Sequence, residues 1–522
     1  MRFDKSDLQQ LTPEYLGSLP IERRSELFEQ LRLDLIEAQD RLNQRPSNSS
    51  RPPSSRAPWE RSKTSETEDS PADDSEKEDS NNSEEETANN SDDDGDEPEK
   101  KGKKKPRRKP GKQQGAKGFG RTQKISVTAV KEHRPECCSG CGKQFGSEES
   151  FEPKGGYYTI DLEPPVAGSI GLKATNTKNI YGSTHCNSCG FETSTKPKRI
   201  PDDPDWNVSL GENRLIGPLL LAFIVFLKFR MHLTVSKTSE LLSIWLGIKL
   251  SDGCINTALR EGGRAAFSLE PELLEALKSS GIVHIDETGW KEHKVTRWLW
   301  AAIGENVAYY AVGPRSSETA QKILDGFQGW LMSDGYGAYR QFSNRLRCWP
   351  HLERKAKGLE ESWDKEAASF GAYAVQTFKD LRNAVYNMRQ QESHARESEQ
   401  NRCCHIRLKF LSECIKRNEV DHEPTRKFAV EVLNDHRSIF RVLEHPEKPL
   451  SNNLAERMLR CWVILRNMCH GSKTEEGSRT VSIYASIVDT LIMRKADPWS
   501  FLAQVFRAVR GGHSPPSLPL ST

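Results

Sequence analysis

"GIVHIDETGW", Gly281 to Trp290, is where the texture of this 522-residue chain changes. Before it the pattern is helical. From Gly281 the run is short, apolar and β-branched, which reads as a strand with Asp286 at its end. "VTRWLWAAIG" (Val295–Gly304) and "NVAYYAVG" (Asn306–Gly313) follow as a hairpin across Gly304–Asn306. "SSETAQKILDGF" (Ser316–Phe327) opens with a serine cap and Glu318, the signature of a helix start. "GWLMSDGYGAY" (Gly329–Tyr339) reads as a strand ending in Asp334, and "RLRCWPHLERKAKGL" (Arg345–Leu359) as a strand running into a basic helix. The order is therefore β, β, β, α, β, α, β, α, with acids at the ends of the first and fourth strands.

That order is the order of an α/β ribonuclease-H-like domain. In such a sheet the first and fourth strands lie side by side, so Asp286 and Asp334 are expected to meet at one edge. A third acid is expected on a later helix, and "PLSNNLAERMLR" (Pro449–Arg460) offers Glu456, with 121 residues between it and Asp334. Leu454, Met458, Cys461 and Leu465 recur at helical steps, which puts Glu456 nearly opposite their stripe, with Asn452, Asn453 and Arg460 within a turn. The strongly helical intervening sequence reads as an insertion over about 360–440. Three hard carboxylates suit Mg²⁺ or Mn²⁺, and two such ions about 4 Å apart serve in-line phosphoryl transfer. The plainer alternative for Glu456 is an i,i+4 pair with Arg460 behind a Ser451 or Asn452 cap. Glu287, next to Asp286 on a continuing strand, is expected on the opposite face and is left out of the set.

The net charge of +2 conceals segregation. Between Glu66 and Glu99 there are seventeen acids and one lysine, and between Lys100 and Lys124 twelve basic residues and no acid. Such blocks do not fold alone. Lys103, Lys104, Lys105, Arg107 and Arg108 could track a phosphate backbone, or the block is a solvated linker. "CCSGC" (Cys137–Cys141) and "HCNSCG" (His185–Gly190) each hold a CxxC. Cys138, Cys141, Cys186 and Cys189 are the four thiolates a structural Zn²⁺ needs, with Cys137 and His185 as adjacent spares. The alternating "GGYYTIDL" and "ATNTKNIYGS" between them read as strands of a small β module. "LTVSKTSELLSIWLGIKLSDGCINTALREGG" (Leu233–Gly263) suits a helix-turn-helix with Ser251 as a cap, or a purely structural helical pair. Near the start, Phe28, Leu31, Leu35, Ala38 and Leu42 alternate in steps of three and four, as in a coiled-coil seam or a helical hairpin.

The expected organisation is an N-terminal helical segment (1–45) and an unstructured linker, acidic then basic (46–124). A zinc module (125–200), a helical region (201–278), the catalytic domain (279–510) and a tail (511–522) follow. "MRFDKSDLQQLTPEYLG" lacks the apolar centre of a leader, and the longest apolar run, Leu215–Leu227, is too short to span a bilayer. Cysteines in CxxC pairs fit a reducing compartment, so a cytoplasmic protein without a membrane partner is expected.

At this point the chain resembles the insertion sequence 66 transposases, a DDE family. The matching pieces are "NSSRPPSS" (Asn48–Ser55), "KPGKQQGAKG" (Lys109–Gly118), the paired CxxC module, "HIDETGW", "SDGYGAY", "CWPHLERKAKGL" and, most specifically, "SNNLAERMLRCWVILRNMCHGSKTEEG" (Ser451–Gly477). The resemblance implies that Asp286, Asp334 and Glu456 are the DDE acids. It implies that Asn452, Asn453, Arg457 and Arg460 frame the third, and that His351, Arg354 and Lys355 contact the scissile strand. It further implies a multimer assembled on paired DNA ends, accessory proteins of the element, binding to terminal inverted repeats, cleavage that frees 3′-hydroxyls, and their joining to target DNA. Where the family commonly carries Arg-Lys-Asn this chain reads "RNM" (Arg466–Met468), and His470 stands where an aromatic often precedes Gly-Ser. Two other readings fit the same residues: a transposase-derived DNA-binding protein without catalysis, and a structure-specific nuclease of the same fold.

Overall fold

Two sheets of different character carry the chain. The structure, a computed structural model, describes residues 10–43, 126–164, 171–390 and 393–520, all within one compact unit. The linker expected over 46–124, with Lys103, Lys104, Lys105, Arg107 and Arg108, lies outside the described residues.

Helices α1 (Pro13–Ser18) and α2 (Ile21–Leu42) open the described chain. Asp40 on α2 accepts from Ser362 Oγ at 2.7 Å and sits 3.0 Å from His422 Nε2, while Phe28 and Leu35 of the expected seam stay exposed. The first sheet holds β1 (Ala129–His133), β2 (Phe151–Leu162), β3 (Ala174–His185) and β4 (Glu192–Ser194). Strands β2 and β3 pair antiparallel along nearly their whole length, β1 runs parallel to β3, and short β4 pairs with the end of β3 beside the second CxxC. Next come α3 (Pro218–Val225), α4 (Val235–Leu246), α5 (Asp252–Phe267) and α6 (Glu270–Lys278). The apolar run Leu215–Leu227 supplies α3, with Leu220, Leu221, Ala222, Ile224 and Val225 buried, and the start of a π-helical turn, Phe226–Arg230; no described helix is long and apolar enough to cross a membrane.

Ser251 caps α5 as expected, its Oγ accepting from Cys254 N at 3.3 Å. The α4–α5 pair is nevertheless built largely into the core. Residues 258–259 and 261–266 of α5 are buried, and a Cβ on Gly262 would meet Tyr484 Oη at 2.5 Å, so the helix can lie this close only through glycine. The acid–base pair Glu261–Arg510, at 3.0 Å, closes the same contact.

The second sheet contains β5 (Ile282–Glu292), β6 (Val295–Ile303), β7 (Ala308–Gly313), β8 (Trp330–Ser333) and β9 (Arg345–Arg347), in the order β7-β6-β5-β8-β9. The first three form an antiparallel meander, and β8 and β9 add in parallel beyond β5. Helix α7 (Ser317–Ile323) makes the crossover from β7 to β8, starting from the expected Ser316 cap. The segment between β8 and β9 is a single 3₁₀ turn, Gly337–Gln341, where a helix was expected. Helices α8 (Trp349–Glu360), α9 (Lys365–Gln390), α10 (Ser393–Ile415) and α11 (Glu423–Phe440) share one apolar core with the β8–β9 edge, from Met332 and Leu346 to Phe378, Phe410 and Phe440. Helix α12 (Asn453–Cys469) lies against β5 and β6, α13 (Glu475–Met493) along β7, and α14 (Pro498–Arg510) against α3 and α5.

Candidate active site

Strand β5 does not end at Asp286 but runs six residues further, paired there only with β6. What ends near Asp286 is the parallel pairing. Its last pair is His284 with Met332, so carrying the register two residues on sets Asp286 beside Asp334, on the same face of the sheet. Strand β8 stops at Ser333, and Asp334 turns the chain, its Oδ1 accepting from Tyr336 N at 2.9 Å. Asp286 is held well above the usual carboxylate range by burial first, then by the negative charges of Glu287 and Asp334 and, more weakly, of Glu456. The hydrogen bond it accepts from Glu287 N, at 3.0 Å, is too little to offset them.

Glu456 arrives from α12. The buried face of that helix is Ala455, Leu459, Trp462 and Leu465. Of the expected stripe of Leu454, Met458, Cys461 and Leu465, Leu465 is buried as expected, and the other three positions are replaced by their next neighbours. The reason is Trp462, which packs on Tyr310 at 5.6 Å and donates to Asp489 Oδ2 at 2.8 Å, fixing the helix rotation from within the core. Glu456 consequently faces His351, 3.9 Å from its Nδ1, and no ion pair joins it to Arg460. Glu456 Oε1 and His351 Nδ1 are both buried atoms without a hydrogen-bond partner among the described residues. Burial, with Arg354 beside it, lowers the His351 imidazole to about 4, so its ring is neutral near pH 7. Cys348, His351 and Glu456 offer ligand atoms within 4.8 Å of one another, whereas the three acids do not form such a group among the described residues. Their set is spread along the sheet edge.

The expected framing residues divide. Asn453, Arg457 and Arg460 are exposed along α12. Asn452 is buried, 0% exposed, and does not face solvent. It is the N-cap residue of α12, but its side chain makes no cap hydrogen bond and its Nδ2 instead donates to Ile285 O at 2.8 Å, bracing the start of α12 against β5. Arg354 folds back on Pro350 O at 3.2 Å, while Lys355 pairs with Glu431 at 2.6 Å and lines the cavity that opens on Asp334. Arg466, in the "RNM" segment, spends one Nη on Thr288 Oγ1 and Gly289 O, both at 2.8 Å.

Glu287 has both oxygens engaged. Oε1 takes Nε and Nη2 of Arg315 at 3.0 and 2.8 Å, and Oε2 takes the Tyr339 hydroxyl at 2.5 Å. Arg315, stacked over Trp298 and Tyr336 at 4.5 and 4.2 Å, was not found by reading the sequence. Nothing in "GPRSSE" distinguishes an arginine held beside two acids from one preceding a helix cap.

In the first sheet the two CxxC turns face each other. Gly142 N bonds Cys138 O at 2.9 Å and Gly190 N bonds Cys186 O at 2.8 Å, each glycine at the positive φ such a turn requires. Cys138 Sγ lies 3.5 Å from Cys189 Sγ, and Cys141 Sγ 3.6 Å from Cys186 Sγ, with all four sulfurs within 4.8 Å of one another. The Cys141 backbone amide, assisted by that of Gly140 and opposed by burial, lowers the Cys138 thiol to about 6. Cys137 is exposed and His185 neighbours Glu152 and Glu192, so neither belongs to the cluster.

This chain is similar to the uncharacterized protein y4jD of Sinorhizobium fredii (strain NBRC 101917 / NGR234), 24% identical over 416 residues, which are 72% of this chain and 74% of the relative. It is also similar to the uncharacterized protein y4qI of the same organism, 25% identical over 340 residues, covering 58% of this chain and 61% of that relative. The chain thus spans about three quarters of the one and three fifths of the other. The family model described as Transposase IS66 family matches residues 213–480, from α3 through the sheet with Asp286 and Asp334 to the helix with Glu456, just over half of the chain. On that match the chain belongs to the IS66 family of transposases.

Proposed function

We propose that the protein is a DDE transposase that binds the terminal inverted repeats of its element and catalyses metal-dependent DNA cleavage and strand transfer. The observation that carries the reading is the register of β5 on β8, which sets Asp286 beside Asp334, with Glu456 brought to the same edge by a helix packed on β5. The sheet order, with two parallel strands beyond an antiparallel meander, supports a ribonuclease-H-like core. The donor set fits a hard divalent cation: a buried Glu456 oxygen has no partner, and Asp286 is crowded by like charge. Asp286, Asp334 and Glu456 would hold Mg²⁺ or Mn²⁺. When bound, such ions supply the charge that activates an attacking oxygen and stabilises the leaving one.

The chain's own groups do the positioning. Glu287 fixes Arg315 beside the acids, where its guanidinium can meet a phosphate oxygen. His351, neutral, adds a donor next to Glu456 without adding charge. Asn453, Arg457 and Arg460 extend a polar, basic edge along α12. Structural Zn²⁺ in the four-cysteine cluster is part of the proposal: a tetrahedron with Zn–S near 2.3 Å has sulfurs about 3.8 Å apart, and the pairs here stand at 3.5 and 3.6 Å. Assembly of several copies on paired ends, with accessory proteins of the element, belongs to the same reading.

Glu456→Gln tests it. The change keeps size and removes the charge that holds a cation. Cleavage and 3′-hydroxyl joining on terminal DNA in Mg²⁺ should fall by orders of magnitude, with end binding retained. Near-normal strand transfer by the variant would refute the assignment. Cleavage without joining by the unaltered protein would favour a nuclease, and binding without either a non-catalytic binder.

A further inference from the structure

A cavity of about 650 Å³ opens beside Asp334, and its far wall is not part of the sheet. One side is the catalytic edge, with Arg315, Asp334, Arg340 and Lys355. The other is helix α11 of the insertion, which contributes Arg426 and Lys427. Five cationic side chains line the cavity against two carboxylates, Asp334 and Glu431. Glu431 is already committed to Arg347 and Lys355, at 2.7 and 2.6 Å. The excess is positive and concentrated where a polyanion would reach the acids.

The wall is held rigidly. Asp435, 4% exposed, receives Arg345 at 2.6 Å, Arg340 at 3.3 Å and Arg347, so α11 is tied to β9 by buried charge. Gly335, directly after Asp334, makes the approach possible: a Cβ there would meet Glu431 Oε1 at 2.7 Å and Arg347 Nη2 at 2.8 Å. The cationic groups keep donors to spare. Arg315 uses Nε and Nη2 on Glu287, and among the described residues its Nη1 has no hydrogen-bond partner. Lys427, whose side chain is 73% exposed, pairs among the described residues with Glu423 one turn back on its own helix, and Arg426 commits one Nη1 hydrogen bond to Val420 O.

We propose that the helical insertion is a phosphate clamp: Arg426 and Lys427, facing Arg340 and Arg315 across this cavity, hold the phosphodiester backbone of a single DNA strand next to Asp334. The inference rests on the transposase reading and adds to it a role for the insertion. A cavity of this volume takes a nucleotide or two. It does not take a duplex, whose major groove alone is about 12 Å wide.

The test uses the full chain and a fluorescein-labelled single-stranded oligonucleotide of mixed sequence, titrated by anisotropy in EDTA over a series of NaCl concentrations. Each phosphate neutralised on a single strand contributes about 0.7 to the slope of log K against log salt. Arg426→Gln with Lys427→Gln should make that slope shallower by about 1.4, and Lys427→Gln alone by about 0.7. The single variant keeps the test alive should the double one misfold, because the ion pair Lys427 makes, with Glu423, lies within its own helix. An unchanged slope in a folded variant overturns the clamp, as does a change seen with duplex and not with the single strand. Glu456→Gln run in parallel separates the two hypotheses. It should keep the full slope and lose strand transfer; if it keeps strand transfer, the acid assignment fails while the slope still decides the clamp.

Discussion

Asp489 and Glu456 are acids on neighbouring helices in the sequence, α13 and α12, and their surroundings differ in kind. Asp489 is 4% exposed, its Oδ2 accepting from the Tyr310 hydroxyl at 2.7 Å and from Trp462 Nε1 at 2.8 Å. Its demand for partners is met inside the core, whereas the buried Glu456 oxygen has none. Burial raises the Asp489 pKa above its ordinary value, against the lowering effect of those two donors. The folded state therefore holds this proton more tightly than the unfolded chain. The sign follows: between the unfolded pKa, about 3.9, and the raised folded one, stability rises as pH falls, and above that window the cost of the buried charge is fully present. Asp489→Asn keeps one oxygen for both donors and removes the titration, so urea unfolding across this window should lose that component of its pH dependence. Asp489→Ala should cost about 1–3 kcal/mol for each donor left without an acceptor, read from the same unfolding curves.

Helix α13 shows why "TVSIYASIVDT" carries buried hydroxyls where an all-apolar face would be expected. Strand β7 is an edge strand, and its free N–H groups need partners. Ser486 Oγ accepts from Tyr310 N at 2.9 Å, and Thr490 Oγ1 accepts from Ala308 N at 3.0 Å while donating to Ala308 O at 3.1 Å. The helix finishes the sheet with side chains in place of a sixth strand. Thr490→Val preserves the shape and removes both bonds; the expected loss is about 1–3 kcal/mol per orphaned backbone group, measured by urea unfolding. The CxxC turns are elements of the same kind, short loops whose order depends on what joins them. Metal analysis should give about one zinc per chain. Cys138→Ser with Cys141→Ser should release it, loosen the β1–β4 sheet and weaken end binding, while the β5–β9 domain stays folded by circular dichroism. Stoichiometric zinc in the double variant would reject the site.

Across the whole molecule the charges are sorted by segment, which makes DNA affinity separable by region. Neutralising Lys103, Lys104, Lys105, Arg107 and Arg108 should lower the salt slope for duplex DNA by up to about 0.9 for each phosphate these side chains neutralise. An unchanged slope would make that stretch a linker. What the sequence by itself determined is local. Period and caps gave away the strands around Asp286 and Asp334 and the Ser251 and Ser316 helix starts, and spacing marked the two CxxC turns, because each signal is complete within a dozen residues. The rotation of α12 differs by one residue from the one its apolar spacing suggests, since its apolar positions are nearly continuous around the helix and only Trp462 meeting Asp489 and Tyr310 selects a face. Asn452 does stand at the N-cap, but that its side chain turns inward to Ile285 O is decided only once β5 is packed against it. Glu287 sits inside "HIDETGW", yet the motif does not show its pairing with Arg315, 28 residues on; Arg315, Arg426 and Lys427 carry no motif, and only the fold brings them to one cavity. Tertiary structure alone decided these, because a buried partner, a shared cavity and the face of a helix are properties of surfaces brought together by folding, and no window along the chain contains both sides of the interface.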